Sequence, residues 1–236
     1  MKILVLTFWC LLPLGLCAYH YGPGRDRMAL DQTASILADA AGKVAAGEWP
    51  EAIAQYENAL AILPKSHVAE ARQIRLELAK ARMESGGLPE ARTELAELSD
   101  ELAQDQQADA RLIESTTAAL ASARYFMTYL MKLEGLPDSE WEPEIEAARQ
   151  ERKRLVQLAT ARGDSEAASR HADDLESVIR LARMEPEELY GLAIPKQCSG
   201  CKSGKCPTNK PSGKPSQKPE DARGASSGPP VDGEGS

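Results

Sequence analysis

Apolar residues return at the period of an amphipathic helix in one stretch after another, and each stretch is closed by Gly or Pro. Leu30, Leu37, Ala40 and Val44 mark a first helix that Gly47 ends. Ile53, Tyr56, Leu60 and Leu63 mark a second, with Pro50 in the first turn, where its missing N–H costs nothing, and Pro64 as the stop. Ala71, Ile74, Leu78 and Ala81 carry a third helix up to Gly86 and Gly87, and Leu88, Ala91, Leu95, Leu98 and Leu102 carry a fourth. A long fifth helix over residues 108–133 sets Ile113, Leu120, Ala123, Met127 and Leu130 on one stripe and stops at Gly135 and Pro137. The sixth is expected to open at Ser139 and Glu142 in capping-box spacing, with Pro143 just inside, and to run to Arg162. Asp164 is a good N-cap for a seventh through Met184, after which Pro186 permits only a short last turn near Gly191. No segment alternates β-branched residues at period two, so the predicted fold class is all-α. Short loops between about seven antiparallel helices favour a stack of helix pairs over a bundle.

The two ends break this pattern. Lys2, an apolar run over residues 3–12, and small residues at Gly15, Cys17 and Ala18 have the layout of a secretory signal peptide over residues 1–18, cleaved near Ala18. The apolar stretch is shorter than the ~20 residues of a membrane span; an uncleaved anchor and a lipid on Cys17 are the competing readings. Residues 19–27 read as a linker with a Gly-Pro-Gly turn, and residues 28–194 as the helical domain. From residue 195 to 236 the composition falls to Pro, Gly, Ser and Lys, which cannot bury enough surface to offset ordering entropy, so a disordered tail is expected.

Within the helical part, Gly47-Glu48-Trp49-Pro50-Glu51-Ala52-Ile53, followed by Tyr56, Ala59, Leu60 and Pro64, resembles the second half of a tetratricopeptide repeat (TPR). Ala52 and Ala59 would let neighbouring helices approach, Tyr56 would fill the gap, and Pro64 would free the chain for the next pair. A degenerate copy follows at Gly86, Gly87, Leu88, Pro89, Glu90 and Ala91, with Leu95 in the aromatic's place and Leu78 and Ala79 as the close-packing pair before it. A weaker echo lies at Gly163-Asp164-Ser165-Glu166-Ala167, and Asp39 and Lys43 depart from the pattern in the first helix. The resemblance implies a TPR-like α-solenoid that binds proteins or peptides on a surface lined by the first helix of each pair. Carried over position by position, that surface would hold Leu37, Ala41 and Val44, then Leu76, Lys80 and Met83. These residues do not reproduce the family's carboxylate clamp, so a free C-terminus is not the expected ligand.

Composition narrows the partner. Two Phe and three Trp leave a core of Leu, Ile, Val, Met and Ala. The net charge of −8 is uneven: Lys196, Lys202, Lys205, Lys210, Lys214, Lys218 and Arg223 outnumber Glu220, Asp221, Asp232 and Glu234. With the leader's Lys2 set aside, the tail is thus near +3 and the helical body about −12, which disfavours nucleic acid and suits the tail to weak contact with anionic envelope polymers or with its own body. Self-association stays open.

Candidate chemistry is sparse, and the expectation is a chain without catalytic or cofactor-binding residues. Cys198, Cys201 and Cys206 form a C-x2-C-x4-C cluster one ligand short of a structural zinc site; outside the cytosol a Cys198 to Cys201 disulfide with Cys206 left for exchange is expected, and the alternative function is a tail that acts by thiol exchange or by binding a shared metal, carried on a passive body. Ser165 resembles a nucleophile elbow but has no strand before it. His171 shares a stripe with Ala168, Leu175, Val178 and Ala182 and is read as a core residue with one satisfied ring nitrogen; His20 and His67 have no catalytic company. The aromatic and Met-rich run from Tyr125 to Met131 is read as clasped between helices rather than open to a partner. The basic run Arg149, Arg152, Lys153 and Arg154 and the acidic residues of 99–109 are read as solvated surface.

Overall fold

The computed structural model describes residues 23–190, and these are helical almost throughout, with no strand. The elements are α1 (Pro23–Ala46), α2 (Trp49–Ile62), α3 (Val68–Glu84), α4 (Leu88–Gln104), α5 (Ala110–Leu133), α6 (Asp138–Ala161), α7 (Ser165–Arg183) and the single turn α8 (Pro186–Leu189). Each of α1 to α7 packs chiefly on its neighbours in sequence, α3 also touching α5, while the turn α8 packs on α5. This is the all-α, solenoid-like stack expected. The leader and the tail, including the cysteine cluster, lie outside the described residues.

Three elements differ from the sequence expectation. The helix begins at Pro23 rather than after residue 27, because Pro at the first helical position is already preset in φ and residues 25–27 are helix-tolerant. α6 begins at Asp138, with Pro137 as its N-cap and no side-chain cap, so the capping box at Ser139 and Glu142 does not form and Pro143 lies inside the helix. On α5 the buried residues include Leu112, Leu120, Ala123, Phe126 and Tyr129, whereas Leu130 is 39% exposed.

The short turns share one hydrogen-bond signature. Gly47 (φ 75°) and Gly86 (φ 92°) occupy the left-handed region, where a Cβ would meet the following carbonyl. There the next N–H bonds the carbonyl five residues back, Glu48 to Lys43 at 3.0 Å and Gly87 to Arg82 at 2.8 Å. The same bond closes α5 (Leu136 to Met131, 3.0 Å) and α6 (Asp164 to Ala159, 3.0 Å). The α2–α3 and α4–α5 connections lack such a glycine and are longer, so α1 with α2 and α3 with α4 form hairpins.

Three apolar cores follow one another along the chain. The first joins α1, α2 and α3 through Ala40, Ala52, Tyr56, Ala59, Leu63, Ile74, Leu78 and Ala81. Its alanines are wholly buried at 40, 52 and 59, so the helices approach closely and the Tyr56 ring occupies the space left. The second joins α3, α4 and α5, with Leu76, Ala79, Met83, Leu95, Leu98 and Phe126 among its members. The third joins α5 to α8 through Tyr129, Trp141, Ile145, Ala148, Val178, Leu181 and Leu189. Helices α3 and α5 therefore each serve two cores and bury two stripes.

Candidate functional site

The residues expected to line a partner surface do not share one. Leu37 and Val44 are half-buried against the first core, and Ala41 is half-buried beside them. Leu76 is fully buried and Met83 6% exposed, both in the second core, and this corrects their assignment to an open face. The reason is geometric: α3 is covered by α2 on one side and α4 on the other, so Ile74, Leu78 and Ala81 meet α2 while Leu76, Ala79 and Met83 meet α4. Lys80 alone of its trio stays at the surface, its Nζ 3.0 Å from Glu77.

The polar strip of α3 is Gln73, Glu77, Lys80 and Glu84, spaced so that all four fall on one helix face, with Gln73 exposed and the other three half-buried. Gln73 donates to Glu77 Oε1 (3.3 Å), so Glu77 gathers two neighbours. Glu84, at the end of the strip, is half-buried, and burial alone pushes its carboxyl up to about 7. It adds a hydrogen-bond donor to the strip at mildly acid pH and an unneutralised charge above it.

Ion pairs clamp the helices beside this strip. Arg82 reaches Glu57 of α2 (2.7 Å) and Glu94 of α4, tying three consecutive helices at one residue. Arg72 meets Glu101 (2.8 Å) and Asp105 (2.5 Å), and Arg75 meets Glu101 (2.6 Å), so these acids are bonded rather than merely solvated as expected. The arginines hold both carboxyls below the usual carboxylate range. A shallow cleft of about 240 Å³ lies beside them, with Leu60, Leu63, Val68 and Ala71 in its wall. Of the basic residues lining it, Lys65, His67, Arg72 and Arg75, the two arginines are already neutralised by these acids.

A second polar seam runs through the C-terminal half, where sequence reasoning expected bland surface. Arg152 sits in the buried stripe of α6, after Trp141, Ile145 and Ala148 and before Leu155 and Ala159, and is 7% exposed. It donates to Ser122 Oγ of α5 (2.6 Å) and pairs with Asp174 of α7 (2.8 Å). Arg124 of α5 lies 3.3 Å from Glu151 and 3.8 Å from Glu144, and Glu144 is also gripped by Arg92 of α4. The signal that could have found Arg152 is its place in the helical period, four after Ala148 and three before Leu155.

His171 borders the same seam and is mostly buried, as expected. Its Nε2 is 3.7 Å from Glu114 Oε1, within ion-pair reach but too far for a hydrogen bond, and its buried Nδ1 has no hydrogen-bond partner, so the satisfied core nitrogen expected is not found. Burial, then the Arg152 charge, lowers its pKa. Glu114 is instead held by Arg162 (2.5 and 2.9 Å), which keeps it ionised. Asp164 caps α7 as expected, accepting from Ala167 N at 2.9 Å. Ser165 follows it in the first turn of the helix.

Of the run from Tyr125 to Met131, Phe126 and Tyr129 are buried and Tyr125, Met127 and Met131 are packed against the cores, so α5 is clasped as expected apart from Leu130. Among the described residues, no group of three or more His, Cys, Asp or Glu is placed to hold a metal ion. No described helix is long and apolar enough to cross a membrane. Cys198, Cys201 and Cys206 lie outside the described residues. No protein-family model matches the chain, and no curated protein matches it.

Proposed function

We propose that this chain is an exported scaffold that holds other proteins, built on TPR-like helix pairs and working in the periplasm or outside the cell. The carrying observation is the face of α3. A helix covered on both flanks by apolar packing still keeps four polar residues, Gln73, Glu77, Lys80 and Glu84, in one partly exposed line. Clamped by Arg72, Arg75 and Arg82, α3 is held as a rigid support, and a rigid surface loses little entropy when a partner docks. Export rests on the leader-like residues 1–18, and the TPR-like reading on the Gly, Ala, Tyr and Pro spacing of residues 47–64. The chain acts without catalysis in this reading; its partner is a folded protein or an extended peptide rather than nucleic acid, which the acidic body would repel.

The test is a photo-crosslinking amino acid placed at Gln73, with Asp100 on the exposed side of α4 as control, in the exported fraction. Adducts from position 73 that weaken in Lys80→Glu and persist when the chain is cut after Ile194 support the reading. Adducts that vanish with the tail would shift the activity to residues 195–236, and equal labelling from both positions would remove the α3 face as the docking surface.

A further inference from the structure

Glu151 occupies an unusual place in the seam between α5 and α6. Its Oε2 is sealed from solvent without a hydrogen-bond partner. Its Oε1 has Arg124 Nε 3.3 Å away, yet that Nε is itself without an aligned hydrogen bond, so the contact supplies charge but no bond. The other cations facing it are engaged elsewhere: Arg152 of α6 holds Ser122 and Asp174, and Arg92 of α4 holds Glu144. Glu144, one helical turn pair away on α6, adds a like charge. An ionised Glu151 would thus sit in the seam short of donors, which is costly for a carboxylate with one oxygen sealed from water.

We propose that this seam is a pH-sensitive joint, closed while Glu151 is a neutral acid and loosened when it ionises. Burial, outweighing the pull of Arg124 and Arg152, raises the Glu151 carboxyl to about 7, so the transition falls near neutrality. The sign follows from linkage: an acid whose folded pKa exceeds its unfolded value stabilises the closed form at lower pH, and that stabilisation is lost as pH rises through 7. The joint lies at the α5–α6 contact and, through Arg152 and Asp174, reaches α7; a chain carrying it would hold its last helices more firmly on the acid side of neutral and let them open more often on the alkaline side. No partner enters the joint, so its failure would leave the scaffold reading standing.

The experiment is hydrogen exchange on the full chain at pH 6 and pH 8.5, corrected for intrinsic rates. Peptides of α6 should exchange roughly tenfold faster at the higher pH when read relative to Glu151→Gln, as linkage gives for a carboxyl moving from ~4.5 to ~7, while α1 and α2 keep their rates; the comparison removes the opposite slope of His171 in α7, whose pKa burial lowers. In Glu151→Gln, which fixes the neutral form, that pH dependence should disappear. Wild type and Gln variant with the same pH dependence in α6 overturn the joint. Should the variant fold poorly, carbon-13 titration of the wild-type Glu151 carboxyl decides: a midpoint near 7 supports the joint, and one near the ordinary ~4.3 sinks it.

Discussion

Two glycines show how much of this fold is decided by single φ angles. Gly86 lies at φ 92° with nothing within 4 Å of where a Cβ would stand, so its substitution meets backbone strain and no steric clash. Gly42 lies inside α1, also with open space, and there a Cβ only restores helix propensity. Gly86→Ala should therefore lower the free energy of unfolding by about 1 kcal/mol and Gly42→Ala raise it by roughly 0.5 to 1 kcal/mol. Urea titration of the two variants checks the pair, and equal effects of one sign would contradict the left-handed assignment. Removing the cap in Asp164→Ala should cost about 1 kcal/mol, since the first turn of α7 loses the acceptor for Ala167 N–H.

At the scale of elements, the helices were legible and their second faces were not. One apolar stripe per helix, a Gly or Pro at each end and the Ala-Tyr-Ala spacing of α2 are enough to place every long helix to within a few residues. Leu76, Met83 and Arg152 were misplaced because a stripe says that one side of a helix is covered and nothing about the other. A helix shared by two cores buries two stripes, and α3 hides Leu76 on its second. Arg152 was hidden by its own charge, which reads as surface in any sequence until its partners Ser122 and Asp174, 30 and 22 positions away, are in view. The clamps between α3 and α4 give this scale its own pH dependence. Because Arg72 holds Glu101 and Asp105 below the usual carboxylate range, their contribution is present above the unfolded pKa values and is lost as pH falls through the folded ones. Acidification from about pH 5 to about pH 3 should thus destabilise the wild type more than Arg72→Met, in which these acids have lost their main partner. Thermal melts across that range decide it, and parallel pH curves would mean that the clamp is spent on solvent screening.

For the described residues taken together, the order of packing matters more than any one contact. Each helix meets mainly its neighbours in sequence, so the first core and the third share no helix, and strain in one has no packed route to the other except through α3, α4 and α5. Such a stack behaves as a row of nearest-neighbour terms rather than as one all-or-none core. Ile74→Ala empties part of the first core and Leu181→Ala part of the third; each residue is nearly fully buried, and each change should cost about 2 to 5 kcal/mol. Their double variant should lose the sum to within about 0.5 kcal/mol, since no shared neighbour lets one cavity relax the other. Hydrogen exchange adds the spatial half of the prediction: Leu181→Ala should speed exchange in α6 and α7 and leave α1 and α2 protected, with Ile74→Ala doing the reverse. Uniform loss of protection along all the helices in either variant would mean that the three cores melt as one, and the row of independent neighbours would have to be given up.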